Sequence, residues 1–137
     1  MGMILCLGEN LEQREKELTG QVLDEQLESY QKALNGNWEN VVIAYEPIWA
    51  MGTGRIASAD QTQEAHEHIR KWVGTHVNPA LAESIRIIYA GSVTETNCEN
   101  LVKLPQVDGF LVGTSSTKPA FRDIFETVYK QATKELQ

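Results

Sequence analysis

The sequence predicts an α/β fold built on a parallel sheet, and three observations carry that reading. Four short apolar runs, rich in β-branched and aromatic residues, recur at residues 3–7, 41–45, 85–89 and 109–112. Each is nearly continuous in apolar character, as a strand buried on both faces is. Helical patterns fill the intervals, and no Pro/Gly/Ser-rich linker or low-complexity tract breaks the alternation. The resulting order, β-α-β-α-β-α-β-α, calls for right-handed crossovers and one parallel sheet.

The elements follow in order. After the first run, Val22, Leu23, Leu27, Tyr30 and Leu34 fall at helical spacing, and Asn35-Gly36 supplies a stop. Thr19 and Gly20 divide this stretch into a short turn and a longer helix. The second helix starts at Ser58, with Gln61 three residues on as its capping-box partner. Ala65, Ile69, Trp72, Val73 and Val77 mark its buried stripe, and Asn78-Pro79 ends it. A second box, Thr96 with Glu99, starts a short helix carrying Leu101 and Val102. Pro119 opens the last helix, where its missing N–H costs nothing. Phe121, Ile124, Phe125, Val128 and Ala132 form that helix's inner face.

The 137 residues suit a single domain over 1–137. Hydrophobic residues make up 42% and charged residues 23%, which argues against disorder. No apolar run reaches the roughly 18 residues of a membrane span. The first residues, with Glu9 close behind, do not read as a secretory signal. A net charge of −7 disfavours nucleic acid and anionic membranes as partners. It leaves room for a small anion held by backbone amides. Cys6 and Cys98 lack C-x-x-C spacing and read as idle thiols of a reduced, cytoplasmic protein.

In parallel α/β folds the chemistry gathers at the carboxyl ends of the strands. Glu46 stands at the tip of the second run, where a carboxylate at the rim of a low-dielectric sheet suits a general base, an N-cap or a salt bridge. The loop after it pairs a stiff start, Pro47, and an anchor, Trp49, with a glycine-rich tip, Gly52-Thr53-Gly54. That combination suits a lid over a ligand. Ser92, after the third run, and the amides of Gly113 and Thr114, after the fourth, are candidate phosphate binders. His66 and His68, two apart on a helix, point to different sides and do not make a metal pair. His76 sits near a helix end, where it favours the dipole. No zinc-like cluster occurs, and no metal or organic cofactor is expected.

The string Ala44-Tyr45-Glu46-Pro47-Ile48-Trp49-Ala50-Met51-Gly52-Thr53-Gly54 resembles the triosephosphate isomerase signature, A-Y-E-P-[VI]-W-A-x-G-T-G. Ile87-Ile88-Tyr89-Ala90-Gly91-Ser92-Val93 and Asp108-Gly109-Phe110-Leu111-Val112-Gly113 resemble the family's next two strand ends. Cys6-Leu7-Gly8-Glu9 resembles the end of its fifth strand. The resemblance runs in order along essentially the whole chain and covers the carboxyl-terminal half of the family's barrel. It implies half of a (β/α)8 barrel, with four parallel strands and four crossover or terminal helices.

It also implies roles. Glu46 matches the base that moves a proton between the two carbons of dihydroxyacetone phosphate and glyceraldehyde 3-phosphate, a step of glycolysis and gluconeogenesis. Pro47 to Ala57, including Ile48, Trp49, Ala50, Met51, Thr53 and Gly54, matches the lid. Gly52, Ser92, Gly113 and Thr114 match positions whose amides hold the phosphate. Two segments depart from the family pattern: the usual Tyr-Gly-Gly-Ser reads Tyr89-Ala90-Gly91-Ser92, and the usual Gly-Gly-Ala-Ser-Leu-Lys reads Gly113-Thr114-Ser115-Ser116-Thr117-Lys118, where Thr114 adds a Cβ at a point a phosphate must approach.

The family's other catalytic groups, an asparagine, a lysine, a histidine and a second glutamate, lie on strands one and four of the barrel, outside the matched half. The chain alone is therefore expected to be inactive, and to bind a phosphorylated triose only when complemented by an amino-terminal half. Four strands cannot close a barrel that needs eight. The expected partner is that half or a second copy of the chain. The alternative function is a self-associating half-barrel module that binds phosphate.

Overall fold

A computed structural model describes residues 1–51, 53 and 55–135. Three strands, β1 (Met3–Leu7), β2 (Val41–Tyr45) and β3 (Arg86–Tyr89), form a parallel sheet in chain order. Ile4 pairs with Val42 and Cys6 with Ala44; Ala44 in turn pairs with Ile88 and Tyr45 with Tyr89. The period of two then sorts the side chains. Leu7, Ile43, Tyr45, Ile87 and Tyr89 enter one core with Leu23, Leu27, Ile69, Trp72 and Val73 from the covering helices. The opposite face carries Ile4 and Cys6, both exposed, and Val42 and Ile88, both half-buried.

The fourth apolar run does not become a strand. It makes one parallel bridge, Tyr89 with Phe110, backed by Tyr89 N to Gly109 O and Leu111 N to Tyr89 O, both 3.0 Å. Gly109 enters it at φ 157°, away from strand geometry, and among the described residues no strand flanks its far side. The expectation of four strands is thus corrected to three plus a bridged segment.

Six helices accompany the sheet among the described residues, against the four expected. α1 (Leu11–Glu15) is a single turn held by an Asn10–Gln13 capping box, and α2 (Thr19–Leu34) follows after Glu17 turns at φ 57°. Asn35, at φ 48°, stops α2 in the left-handed conformation that asparagine tolerates. α3 (Ala59–His76) begins on the expected box: Ser58 Oγ accepts from Gln61 N at 3.1 Å, and Gln61 Oε1 accepts from Ser58 N at 2.9 Å. Ser58→Ala should lower the unfolding free energy by about 1 kcal/mol, read as a urea midpoint shifted at constant slope.

Asn78-Pro79 ends α3 and also starts α4 (Pro79–Ser84). Asn78 Oδ1 accepts from Leu81 N at 2.7 Å, and Pro79 sits where its absent N–H is harmless. α5 (Cys98–Leu101) lacks the expected Thr96–Glu99 box. Asn97 takes over the turn, accepting from Thr94 N at 2.8 Å and donating to Ser92 O at 2.7 Å. The Thr96 hydroxyl bonds that of Thr94, and Glu99 bonds Lys103.

α6 (Phe121–Glu135) starts two residues beyond Pro119, because the first bonds there are tight i→i+3 turns such as Phe121 N to Lys118 O. Its expected inner face is corrected too. Ile124 is 2% exposed, but Phe121 is 38% and Phe125 63% exposed, and Phe125 stacks on the equally exposed Tyr129. Both cysteines are free; Cys98 is buried, whereas Cys6 is exposed.

At the amino end of β3, Arg70 of α3 ties four pieces of chain together. Its guanidinium donates to Gln106 Oε1 (2.6 Å), Ala82 O (2.6 Å), Ile85 O (3.0 Å) and Asp108 Oδ2 (2.7 Å). Asp108 Oδ2 also accepts from Ile87 N at 2.7 Å. These bonds replace solvation that the carbonyls lose on packing.

Candidate active site

The carboxyl ends of the strands converge on a cavity of about 210 Å³. It is lined by Glu46, Met51, residues 90–93, Leu111 and residues 113–115. Glu46 reaches this rim because the β1–β2 ladder continues through it: Glu46 N donates to Leu7 O at 2.8 Å. Close approach fixes the neighbouring backbone. A Cβ on Gly8 would lie 1.8 Å from Glu46 O, so only glycine fits there. Gln26 of α2 then clasps Gly8 from both sides, accepting from its N–H at 2.9 Å and donating to its carbonyl at 3.1 Å. Beyond Glu46, Ala90 N donates to Tyr45 O at 2.8 Å and carries the third strand end to the same rim.

Two loops form the opposite wall. Ser115 Oγ donates to Val93 O at 2.9 Å, joining the loop after β3 to the turn after the fourth segment. Residues 114–117 form one 3-10 turn, closed by Ser116 N to Gly113 O at 2.9 Å. The amides of Ser92, Gly113 and Thr114 donate to no partner among the described residues, and all three residues line the cavity. Unpaired amides at a concave rim are a site for an anion. Gly91 turns the chain where a Cβ would fall 2.1 Å from the Tyr89 hydroxyl. The structure therefore brings Glu46, Ser92, Gly113 and Thr114 together. Gly52 and Gly54 lie outside the described residues.

The segment after Glu46 is anchored from below. Pro47 leads into a 3-10 turn over Ile48–Ala50, with Trp49 and Ala50 buried while Ile48 and Met51 face solvent. Thr53 Oγ1 donates to Trp49 O at 2.9 Å and accepts from Arg55 N at 3.2 Å. Ala57 closes the segment and is buried.

The anchor is a residue that the strand-end reading of the sequence left without a role, Glu9. Its side chain is fully buried. It accepts from Trp49 Nε1 at 2.9 Å and from the Tyr45 hydroxyl at 3.1 Å, with the Thr19 hydroxyl at 3.3 Å and Arg14 at 3.7 Å. Ile48 N also donates to Glu9 O at 3.1 Å. Burial and the adjacent Glu9 push the Tyr45 phenol far above its usual range, so it remains a donor. The available signal was positional: Glu9 stands two residues beyond the tip of β1, as Glu46 stands one beyond the tip of β2. Asn97 and Ser115, which shape the loops, carried no motif at all.

The histidines do not enter the cavity. His66 is buried with Nδ1 3.0 Å from Gln106 O; a carbonyl only accepts, so Nδ1 carries the proton. Its Nε2, Thr62 Oγ1 and the Tyr89 hydroxyl are buried without a partner among the described residues. His68 bonds Asp24 at 2.7 Å on the other side of α3, and His76 stacks on Trp72. Among the described residues, no group of three His, Cys, Asp or Glu side chains is placed to hold a metal ion. A larger groove, about 410 Å³, lies outside between α3 and α4 and contains none of the rim residues. Among the described residues, no helix is long and apolar enough to cross a membrane.

Comparison with known proteins identifies the family. The family model described as "TIM: Triosephosphate isomerase" matches residues 1–128. A triosephosphate isomerase of Paracoccidioides lutzii is 53% identical over 125 residues, covering 90% of this chain and 50% of that protein. Cytosolic triosephosphate isomerases of Gracilaria gracilis and Oryza sativa subsp. japonica are 47% and 50% identical, over 98% and 91% of this chain. They are covered to 53% and 49%, so the chain spans about half the length of the curated relatives it matches. With the family model matched over nearly its whole length, the chain belongs to the triosephosphate isomerase family.

Proposed function

We propose that the chain is the carboxyl-terminal half of a triosephosphate isomerase and supplies the proton-transferring and phosphate-holding side of its reaction. The substrate is a phosphorylated triose, interconverted between dihydroxyacetone phosphate and glyceraldehyde 3-phosphate. The observation that carries this is the shared cavity of Glu46 and the free amides at Ser92, Gly113 and Thr114. In this reading the amides hold the phosphate, and the Glu46 carboxylate removes a proton from the carbon beside the carbonyl. The same proton, held by the carboxyl group, returns to the neighbouring carbon of the enediolate, while the hydroxyl proton passes from the oxygen that becomes the new carbonyl to the oxygen that was the old one. Residues 47–57 act as the lid, with Trp49 as its hinge anchor. These steps are proton transfers, between carbon and a carboxylate and between the two substrate oxygens, and call on no metal or organic cofactor.

Among the described residues, the cavity lining contains no lysine, histidine or asparagine to stabilise the enediolate oxygen. Losing one such donor costs about 2.7–4 kcal/mol of transition-state stabilisation. An amino-terminal half is therefore the partner that completes the site, through the electrophile the rim lacks. Two of the matched relatives are named cytosolic, and the cytoplasm is the compartment we assign.

The test mixes the purified chain with the amino-terminal half of a family member and follows isomerisation. Activity should emerge only in the mixture. Glu46→Gln should then lower kcat by about 10²–10⁴-fold with an unchanged melting temperature. Full turnover by the chain alone, or an unaffected Glu46→Gln mixture, would overturn the assignment.

A further inference from the structure

We infer that Ser115 is a positioning residue whose hydroxyl sets the spacing between the two loops that hold the phosphate. This role rests on the proposed reading of the rim cavity as the phosphate site. The free amides lie on different connections: Ser92 follows β3, whereas Gly113 and Thr114 follow the fourth apolar segment. One anion can accept from both only if the loops keep a fixed separation. An N–H···O bond spans about 2.7–3.2 Å, and a loop displaced by more than that window loses it.

Sheet pairing does not supply the separation. The fourth segment bridges β3 once, at Tyr89 and Phe110, and its last bond to the sheet is Leu111 N to Tyr89 O at 3.0 Å. Two residues later Gly113 turns away at φ −83° and ψ −115°. Ser115 makes the connection instead. Its Oγ donates to Val93 O at 2.9 Å, and among the described residues this is the one hydrogen bond that crosses between residues 90–97 and 113–118.

Both ends of this strut are held. On the β3 side, Asn97 donates to Ser92 O at 2.7 Å and accepts from Thr94 N at 2.8 Å, and Val93 is buried. On the other side, Ser116 N donates to Gly113 O and the Thr117 hydroxyl to Thr114 O, both at 2.9 Å. Ser115 therefore carries Gly113 and Thr114 with it as one turn. A carbonyl facing an anion repels it, and the carbonyls of Ser92 and Val93 are engaged by Asn97 and Ser115. The family pattern has alanine at 115 and leucine at 117, neither of which donates, so the two hydroxyl bonds belong to this sequence.

The test compares Ser115→Ala, Ser115→Thr and Ser116→Ala by two measurements. Nuclear Overhauser cross-peaks between residues 93 and 115 of the chain itself read the spacing without ligand or turnover. KM and kcat of the complemented mixture for a phosphorylated triose read its consequence. Ser115→Ala should lose the cross-peaks and raise KM about tenfold, with kcat within about twofold of the unaltered mixture. Ser115→Thr keeps the hydroxyl and should restore both, and Ser116→Ala, one position along the same turn, should change neither. If Ser115→Ala fails to fold, Ser115→Cys, which keeps the size and weakens the donor, takes its place. A lower melting temperature with KM unmoved is a merely structural role and overturns the inference. Cross-peaks that persist in Ser115→Ala overturn it too, as does a KM that Ser115→Thr leaves raised. A mixture inactive with the unaltered chain defeats the proposed function itself, and that failure shows before any substitution is made.

Discussion

Glu9→Ala should destabilise the fold by about 3–5 kcal/mol, a large share of what a domain of this size possesses. The side chain is fully buried and accepts from the Trp49 indole and the Tyr45 hydroxyl. Deleting the carboxylate strands both donors in an apolar core and opens a cavity the size of the lost group. Each stranded donor costs about 1–3 kcal/mol, and the cavity adds to that. Among the described residues, the other close groups, Arg14 and Thr19, stand as donors toward Glu9 and do not replace the acceptor. Glu9→Gln keeps the shape and one acceptor oxygen and should cost roughly half as much. The measurement is urea unfolding followed by tryptophan fluorescence. If Glu9→Ala lies within about 1 kcal/mol of the unaltered protein, the carboxylate is not the anchor.

The second large effect is on pH. Burial holds His66 neutral, lowering its pKa to about 4 from an ordinary 6.5. Asp108 and the Gln106 carbonyl oppose that lowering, and Arg70 reinforces it. Between these two values the unfolded chain binds more protons than the folded one, so stability rises with pH. The His66 contribution is complete above about pH 6.5 and falls away as the pH drops to about 4. Its size is about 3 kcal/mol, because each tenfold loss of proton affinity on folding is worth about 1.4 kcal/mol. Carboxylates also titrate in this window, so the quantity to measure is a difference. As the pH falls from 7 to 4 the unaltered chain should lose about 3 kcal/mol more unfolding free energy than His66→Asn. Parallel curves would show that His66 is not held neutral.

Periodicity and glycine placement made the first two strands legible to the residue, and the Ser58 cap likewise. These depend on local rules alone. The fourth strand misled because its apolar run meets the strand criterion, while ladder formation needs a neighbour that the sequence pattern does not report. α6 misled for a related reason: its stripe is apolar as a core stripe is, but Phe121 and Phe125 lie outside the core. The Thr96–Glu99 box failed through competition, since Asn97 offers an acceptor and a donor at once. Among site residues, Glu46, Ser92, Gly113 and Thr114 stood at strand ends and were readable. Glu9 became the buried acceptor beneath the segment after Glu46 only when Trp49 and Tyr45, each 36 or more positions away, were folded onto it.

The contact between Gly8 and the Glu46 carbonyl has an evolutionary reading. The location of the proposed base depends on a residue just beyond a different strand that does no chemistry. Position 8 is therefore closed to drift: any side chain must push Glu46 off the rim before it can be tested for benefit. Positions 90 and 114 bear Ala and Thr, and both residues line the cavity with Glu46. A library meant to retune ligand preference would search the loops at 90–93 and 113–115 and leave residue 8 untouched. Variation is available at the mouth of the site, and the backbone beneath it is frozen.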